Sequence, residues 1–192
     1  IPEELEGLED ELSETYFCNF SIFQSIPDCW AINQLFPIMP IHRLDEKPNQ
    51  KARLADLTCD SDGIIETFIH QDGVQQSLAL HTIEPGQRYL LGMFLVGAYQ
   101  EILGDLHNLF GDTHAIHLRV DDGGDWHIDQ VIEGDTVESV TGYVQYDKKD
   151  LIRRVRSHTE ARIKQGELDR KEAARILAFY RDGLDGYTYL GH

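Results

Sequence analysis

Three short stretches of this chain carry residue types that do chemistry. The first is LADLTCDSDG, Leu54 to Gly63, where Cys59 stands between an apolar run and the carboxylates of Asp60 and Asp62. Negative neighbours oppose a thiolate. A nucleophile is therefore a poor fit, and a protonated thiol acting as an acid is a better one, since a general acid must hold its proton at the working pH. Taken alone, a free cysteine at a strand end is more often a small core residue. The second stretch is VGAYQEILGD, Val96 to Asp105. Gly97 and Ala98 would let a backbone come close to a ligand, and the Tyr99 phenol can donate to a phosphate or carboxylate. Alternatively, Tyr99 caps a strand end as a tyrosine corner. The third is GDLHNLFGD, Gly104 to Asp112, which gathers Asp105, His107 and Asp112. Such a set can hold a metal or exchange protons, although a polar loop bonded to itself is the commoner outcome.

Bulk properties narrow the classes. The 192 residues suffice for one domain, or a domain with an appendage. The formal charge is −17, from 34 acidic and 17 basic residues, which argues against nucleic acid as the main partner. Three cysteines, Cys18, Cys29 and Cys59, form no CxxC pair. They read as reduced thiols in a cytoplasm-like compartment. The histidines are scattered, so zinc is not expected. No apolar run reaches the length of a membrane span. The opening IPEELEGLEDELSE lacks the basic start and apolar stretch of a signal peptide. The chain begins at Ile, not Met, which reads as a fragment or a processed piece.

The elements that must position these residues follow from periodicity and punctuation. Leu5, Leu8 and Leu12 are spaced for one face of a short helix. The aromatic run Thr15 to Phe23 predicts a strand, and Pro27 opens a short helix carrying Trp30. PIMPIHRLDEKPNQ holds three prolines and must be extended or looped. Strand-length runs follow at Arg53 to Thr58, Ile64 to Ile69, Leu78 to His81, Tyr89 to Val96 and Ala115 to Val120. Asp-Gly, Pro-Gly and Gly-Gly pairs separate them, as turns require. In AIHLRV the alternation of Ile116, Leu118 and Val120 predicts one buried face. DWHIDQVIE is a further strand. Beyond it the period turns helical. Asp135 with Glu138 reads as a capping box for a helix through Val137, Val140 and Val144. Asp147 opens a second helix with Leu151, Val155 and Thr159 on one face. Asp169 with Glu172 caps a third, striped by Ile176, Tyr180 and Leu184, which Gly183 or Gly186 can end. The expected class is α+β: an antiparallel β-barrel or sandwich domain over residues 1–134, then a helical tail over residues 135–192.

Four segments in this order, YFCNFSIFQSIPDCWAINQLFPIMPIHRLDE, LADLTCDSDG, YLLGMFLVGAYQEILGDLHNLFGD and the closing GYTYL, closely resemble the C-terminal part of biosynthetic arginine decarboxylases. These belong to the pyridoxal-phosphate decarboxylases built from an alanine-racemase-like (β/α)8 barrel and a β-domain. The resemblance implies that Cys59 returns a proton to the substrate carbon after carbon dioxide leaves. It implies that Asp60 grips the guanidinium end of the substrate, and that Tyr99 meets the cofactor near its phosphate. Cys59 and Asp60 would serve a neighbouring subunit's site and Tyr99 its own. The implied product is agmatine, on the way to polyamines, from a dimer or tetramer that also requires magnesium through ligands the resemblance does not name.

Two departures stand out. Where ornithine-decarboxylating relatives have an aspartate after the asparagine of the Tyr-x-x-Asn strand, this chain has Phe20, which implies a differently shaped pocket. The barrel, its cofactor lysine and its phosphate loop are absent, and none of the six lysines stands in a matching context. The chain alone is therefore expected to be inactive. The rival readings are a relative acting on ornithine, lysine or diaminopimelate, and a non-catalytic assembly module paired with a true decarboxylase.

Overall fold

Burial in the first half of the chain centres on one strand. In the computed structural model, which describes residues 12–191, strand β3 (Gln50–Ala55) buries Ala52 and Leu54 completely. Strand β1 (Glu14–Phe17) pairs parallel to it along one edge. Strand β4 (Ile64–Ile65) and strand β7 (Leu78–Leu80) share the other edge, both antiparallel. Tyr16, Ile22, Ile26, Phe36, Ile65, Phe68 and Leu80 close over this sheet to form the core. Side chains of that size contribute about 1.5–3 kcal/mol each when fully buried. Two small antiparallel pairs complete the β-structure of this half: β2 (Ile38–Pro40) with β8 (Leu91–Met93), and β5 (Phe68–His70) with β6 (Gly73–Gln75).

The class is α+β with antiparallel sheets followed by helices, as expected. Among the described residues the sheets do not close into a barrel, and the β1–β3 pair is parallel. The aromatic run starting at Thr15 is a strand only to Phe17. The chain then turns, and Ser21 caps helix α1 (Ile22–Ser25) by accepting the Gln24 N–H. A hydroxyl at that position offers the backbone a helical start that aromatic β-propensity does not outweigh. Pro27 opens helix α2 (Pro27–Ala31) as expected. The long run at Tyr89 supplies only the short strand β8 before helix α3 (Ala98–Leu103). The helix expected on Leu5, Leu8 and Leu12 falls almost wholly outside the described residues.

The chain divides into two compact units, Ile1–Asn108 and Leu109–His192. In the second, β9 (Ala115–Val120) and β10 (Trp126–Ile132) form an antiparallel ribbon. Val120 faces Trp126 and Leu118 faces Ile128, and a register shift between Ile128 and Gln130 then brings Val131 opposite Ile116. The alternation expected in AIHLRV is therefore present, but its apolar face is not buried: Leu118 is 61% exposed and Trp126 65%. Two strands make one layer, and a layer buries its apolar face only where a second layer packs on it.

Helices α4 (Val137–Tyr143), α5 (Lys148–Lys164) and α6 (Arg170–Asp185) follow. Asp147 caps α5, and the Asp169–Glu172 box caps α6, as expected. The α4 box shifts by one residue to Thr136 and Ser139. Asp135 accepts the Asp112 N–H instead, at 3.0 Å. The α6 stripe runs through buried Ala173 and Leu184, whereas Ile176 is exposed. Helix α6 ends at Gly186 in an extended conformation, so no left-handed cap is used. The closing GYTYL is stitched back onto residues 110–114. Tyr189 Oη donates to the Gly111 carbonyl at 2.8 Å, Thr188 Oγ1 accepts the Gly111 N–H, and Tyr187 stacks on His114.

Candidate active site

The Cys-Asp turn leaves β3 at Ala55, and the next residue organises it. Asp56 is buried, and its carboxylate accepts three hydrogen bonds: from the Ile22 N–H at 2.9 Å, the Thr58 N–H at 2.8 Å and the Thr58 hydroxyl at 2.7 Å. The first fixes the start of α1, and the other two fold the chain after β3 into a tight turn. Its backbone N–H donates to the Gly63 carbonyl, closing the far side of the loop. Gly63 is buried so tightly that an added Cβ would lie 2.3 Å from Asp56 Oδ1. The run LADLTCDSDG is thus a loop folded around one buried carboxylate.

Its exposed tip carries the candidate residues. Cys59 is exposed, unlike half-buried Cys18 and Cys29. Burial, with Asp56 adding to it, pushes the Cys18 thiol up to about 11, and burial raises Cys29 as well. Those two cysteines are structural. The Asp60 carboxylate accepts the Asp62 N–H on Oδ1 at 2.9 Å, while His107 Nε2 lies 3.1 Å from its Oδ2. About a third of each of these two side chains is exposed. His107 itself rests on Phe23, ring centroids 4.2 Å apart, and Phe23 meets Trp30 edge-on at 5.2 Å. The Trp30 indole N–H donates to Asp62 Oδ2 at 3.1 Å. Asn108 reaches Cys59 twice, accepting its backbone N–H at 3.2 Å and donating to its sulfur at 3.4 Å.

Sequence reasoning names Cys59, Asp60 and His107, but it groups His107 with Asp105 and Asp112. Among the described residues no group of three or more His, Cys, Asp and Glu side chains is placed to hold a metal ion. Asp105 instead donates its N–H to the Phe23 carbonyl, and Asp112 donates its own to Asp135. Asn108, Phe23, Trp30 and Asp56 escape the sequence reading. Only Asn108 leaves a cue, being an asparagine in a turn-like stretch, which tolerates the left-handed backbone better than other residues.

Tyr99 lies in the first turn of α3 and is 76% exposed, so it is not a tyrosine corner. Helix α3 is pinned to α2 by a reciprocal pair. Gln100 Oε1 accepts the Asp28 N–H at 3.1 Å, and Gln100 Nε2 donates to Asp28 Oδ2 at 2.5 Å. At its end Gly104 packs so close to Gln24 that a Cβ would lie 2.6 Å from the Gln24 carbonyl oxygen. An added Cβ at Gly97 would meet nothing within 4 Å among the described residues. No described hydrogen bond or ring contact joins Tyr99 to Cys59 or Asp60. Phe20, at the position of the departure, is half-buried against the core.

The family model of the arginine decarboxylase C-terminal helical extension matches residues 137–190. The biosynthetic arginine decarboxylase of Phocaeicola vulgatus is 54% identical over 189 residues, 98% of this chain and 30% of the relative. That of Rhodopirellula baltica is 52% identical over 189 residues, covering 98% of this chain and 28% of its own length. Over 98% of its length this chain is similar to a part of the biosynthetic arginine decarboxylases. The crystal structure of the biosynthetic arginine decarboxylase SpeA from Campylobacter jejuni superposes with a TM-score of 0.78 at 36% identity. It covers 92% of this chain and 29% of the SpeA chain. The chain thus spans about 30% of the length of the curated decarboxylases it matches. Among the described residues no helix is long and apolar enough to cross a membrane.

Proposed function

We propose that this chain supplies the proton donor and the substrate-gripping carboxylate of a pyridoxal-phosphate-dependent decarboxylase, whose full-length form converts L-arginine to agmatine and carbon dioxide. The observation that carries the reading is an exposed thiol next to a carboxylate already held in place. A carboxylate offers about four lone-pair sites. The Asp62 N–H engages Oδ1 and His107 faces Oδ2, which leaves one site free on each oxygen. A guanidinium presents two parallel N–H groups that match that pattern. An ammonium, as in ornithine or lysine, is a point charge that gains less from it. Pyridoxal phosphate, when bound, takes up the electron pair left as carbon dioxide departs. The Cys59 thiol then gives its proton to the substrate carbon, and solvent restores it to the exposed sulfur.

The residues present fit the cofactor in part. The Tyr99 phenol is exposed in the first turn of α3, where it can donate to a phosphate. The lysine that would hold the cofactor is not found among the six in this chain, and we assign it to the rest of the parent. Lys148, for example, is held between Glu138 and Asp185. On this reading the isolated chain is inactive. Magnesium finds no cluster of ligands among the described residues, so none of them is assigned to it. Cys59 and Asp60 serve one site of a homo-oligomer and Tyr99 another, across a subunit interface.

The test is the substrate preference of the full-length parent and of Asp60→Asn. The parent is expected to prefer arginine over ornithine, lysine and diaminopimelate. Replacing the charged acceptor should lower kcat/KM for arginine about 10–100-fold, the worth of a hydrogen bond to a charged group. An unchanged value for arginine in Asp60→Asn would remove Asp60 from the substrate site.

A further inference from the structure

Asn108 has the geometry of a clamp. Its Oδ1 accepts the Cys59 N–H at 3.2 Å and its Nδ2 donates to Cys59 Sγ at 3.4 Å, across 49 residues of chain. The backbone that makes this reach possible is unusual. Asn108 has φ 55° and ψ 22°, and Leu109 follows with φ 60°. Two successive non-glycine residues in the left-handed region persist only where their surroundings fix them. Here the anchors are visible: the Asp105 N–H donates to the Phe23 carbonyl at 2.9 Å, and the His107 ring rests on the buried Phe23 ring. The stretch from Asp105 to Asn108 is thereby tied to α1, and Asn108 is held over the Cys-Asp turn.

We infer that Asn108 is a positioning residue that aims the Cys59 thiol, and so decides which atom receives its proton. For its catalytic consequence this rests on the reading of Cys59 as proton donor; the clamp itself stands on geometry. The outcome at stake is chemical. A proton delivered to the substrate carbon gives the amine product. A proton delivered instead to the cofactor's own carbon leaves the amino group on the cofactor. Water then supplies oxygen to the substrate carbon, which departs oxidised as an aldehyde, while the cofactor's aldehyde carbon is reduced to the amine form. A thiol free to rotate samples both directions, and a clamped thiol samples one.

The experiment uses the full-length holoenzyme and two variants. Asn108→Gly keeps the left-handed backbone without strain and removes the clamp. Asn108→Asp keeps the acceptor for the Cys59 N–H and replaces the donor to sulfur with a second oxygen. Two readouts are taken: the fraction of turnovers ending in aldehyde, and the site-resolved alkylation rate of Cys59 by iodoacetamide with and without cofactor. Asn108→Gly should raise the aldehyde fraction about tenfold. It should also slow Cys59 alkylation about threefold, because the thiolate loses the Asn108 N–H that favours it, with Cys18 and Cys29 unchanged. Asn108→Asp should slow Cys59 alkylation, since a carboxylate then faces the sulfur. In a Cys59→Ala background, Asn108→Gly should shift the aldehyde fraction no further, because its effect passes through the thiol. Wild-type partition and alkylation in Asn108→Gly would overturn the inference, as would an effect that persists at full size without Cys59. If Cys59→Ala itself keeps the agmatine yield, the proton-donor reading fails, and the alkylation rates alone decide the clamp.

Discussion

At pH 8 an alkylating reagent should mark Cys59 well before Cys18 or Cys29. The Cys18 thiol, pushed up to about 11 by burial and by Asp56, holds about one thiolate in a thousand at that pH, and Cys29 is raised by its own burial. Site-resolved mass spectrometry checks this; equal rates at the three positions would contradict the division into one exposed and two structural cysteines. His107→Ala should lower kcat/KM for arginine up to about fivefold, chiefly through KM, because Asp60 loses a partner 3.1 Å away that is worth up to about 1 kcal/mol and turns more freely. A fall in kcat alone would place His107 in the chemical step instead. That Cys59 and Asp60 adjoin in one short turn is legible in the sequence; the roles proposed for them come from the family resemblance. The hold of Asn108 is not, because it spans 49 residues: an asparagine in a turn-like stretch hints at a left-handed backbone but does not name its partner. His107 is legible as a polar residue but not in its role, since its partner is Asp60 and not its sequence neighbours Asp105 and Asp112.

The turn after β3 should be the most sensitive element of the first unit. Gly63→Ala places a methyl group 2.3 Å from Asp56 Oδ1 and should destabilise the protein by about 1–3 kcal/mol, the usual cost of overpacking. Asp56→Ala removes the acceptor for three hydrogen bonds and should cost about 3 kcal/mol or more, since the buried Ile22 donor and the half-buried Thr58 donors are left unpaired. Chemical denaturation of the parent measures both; a change below about 0.5 kcal/mol in either would mean that Asp56 does not organise the loop. The helices of the second unit were the most readable elements, because caps such as Asp147 and the Asp169–Glu172 box are local chemistry. Even there, the α4 box moved to Thr136 and Ser139 once Asp135 was taken by Asp112. The β-strands were less readable. The Ser21 cap cut short the aromatic run, and the β9–β10 ribbon alternates as a half-buried strand does while leaving its apolar face exposed. Alternation tells which side chains share a face; it does not tell what covers them.

An oligomer in which Cys59 serves one site and Tyr99 another makes a counting prediction. Parents carrying Cys59→Ala and Tyr99→Ala, each strongly impaired alone, should regain activity when unfolded and refolded together. Random pairing gives mixed dimers half the time, each with one intact site, so about a quarter of wild-type activity is expected from two-fold symmetry. No recovery would place both residues in the same subunit's site. Such an assembly needs the remainder of the parent, since the chain spans about 30% of the decarboxylases it matches. The most direct test is therefore made on the full-length protein: release of carbon dioxide and formation of agmatine from carboxyl-labelled arginine, with pyridoxal phosphate and magnesium, for wild type and Cys59→Ala. The account predicts arginine as the preferred substrate, and a fall in agmatine formation of about a hundredfold or more in the variant, with aldehyde formation rising in its place. A folded, cofactor-loaded Cys59→Ala protein that makes agmatine at the wild-type rate would contradict it.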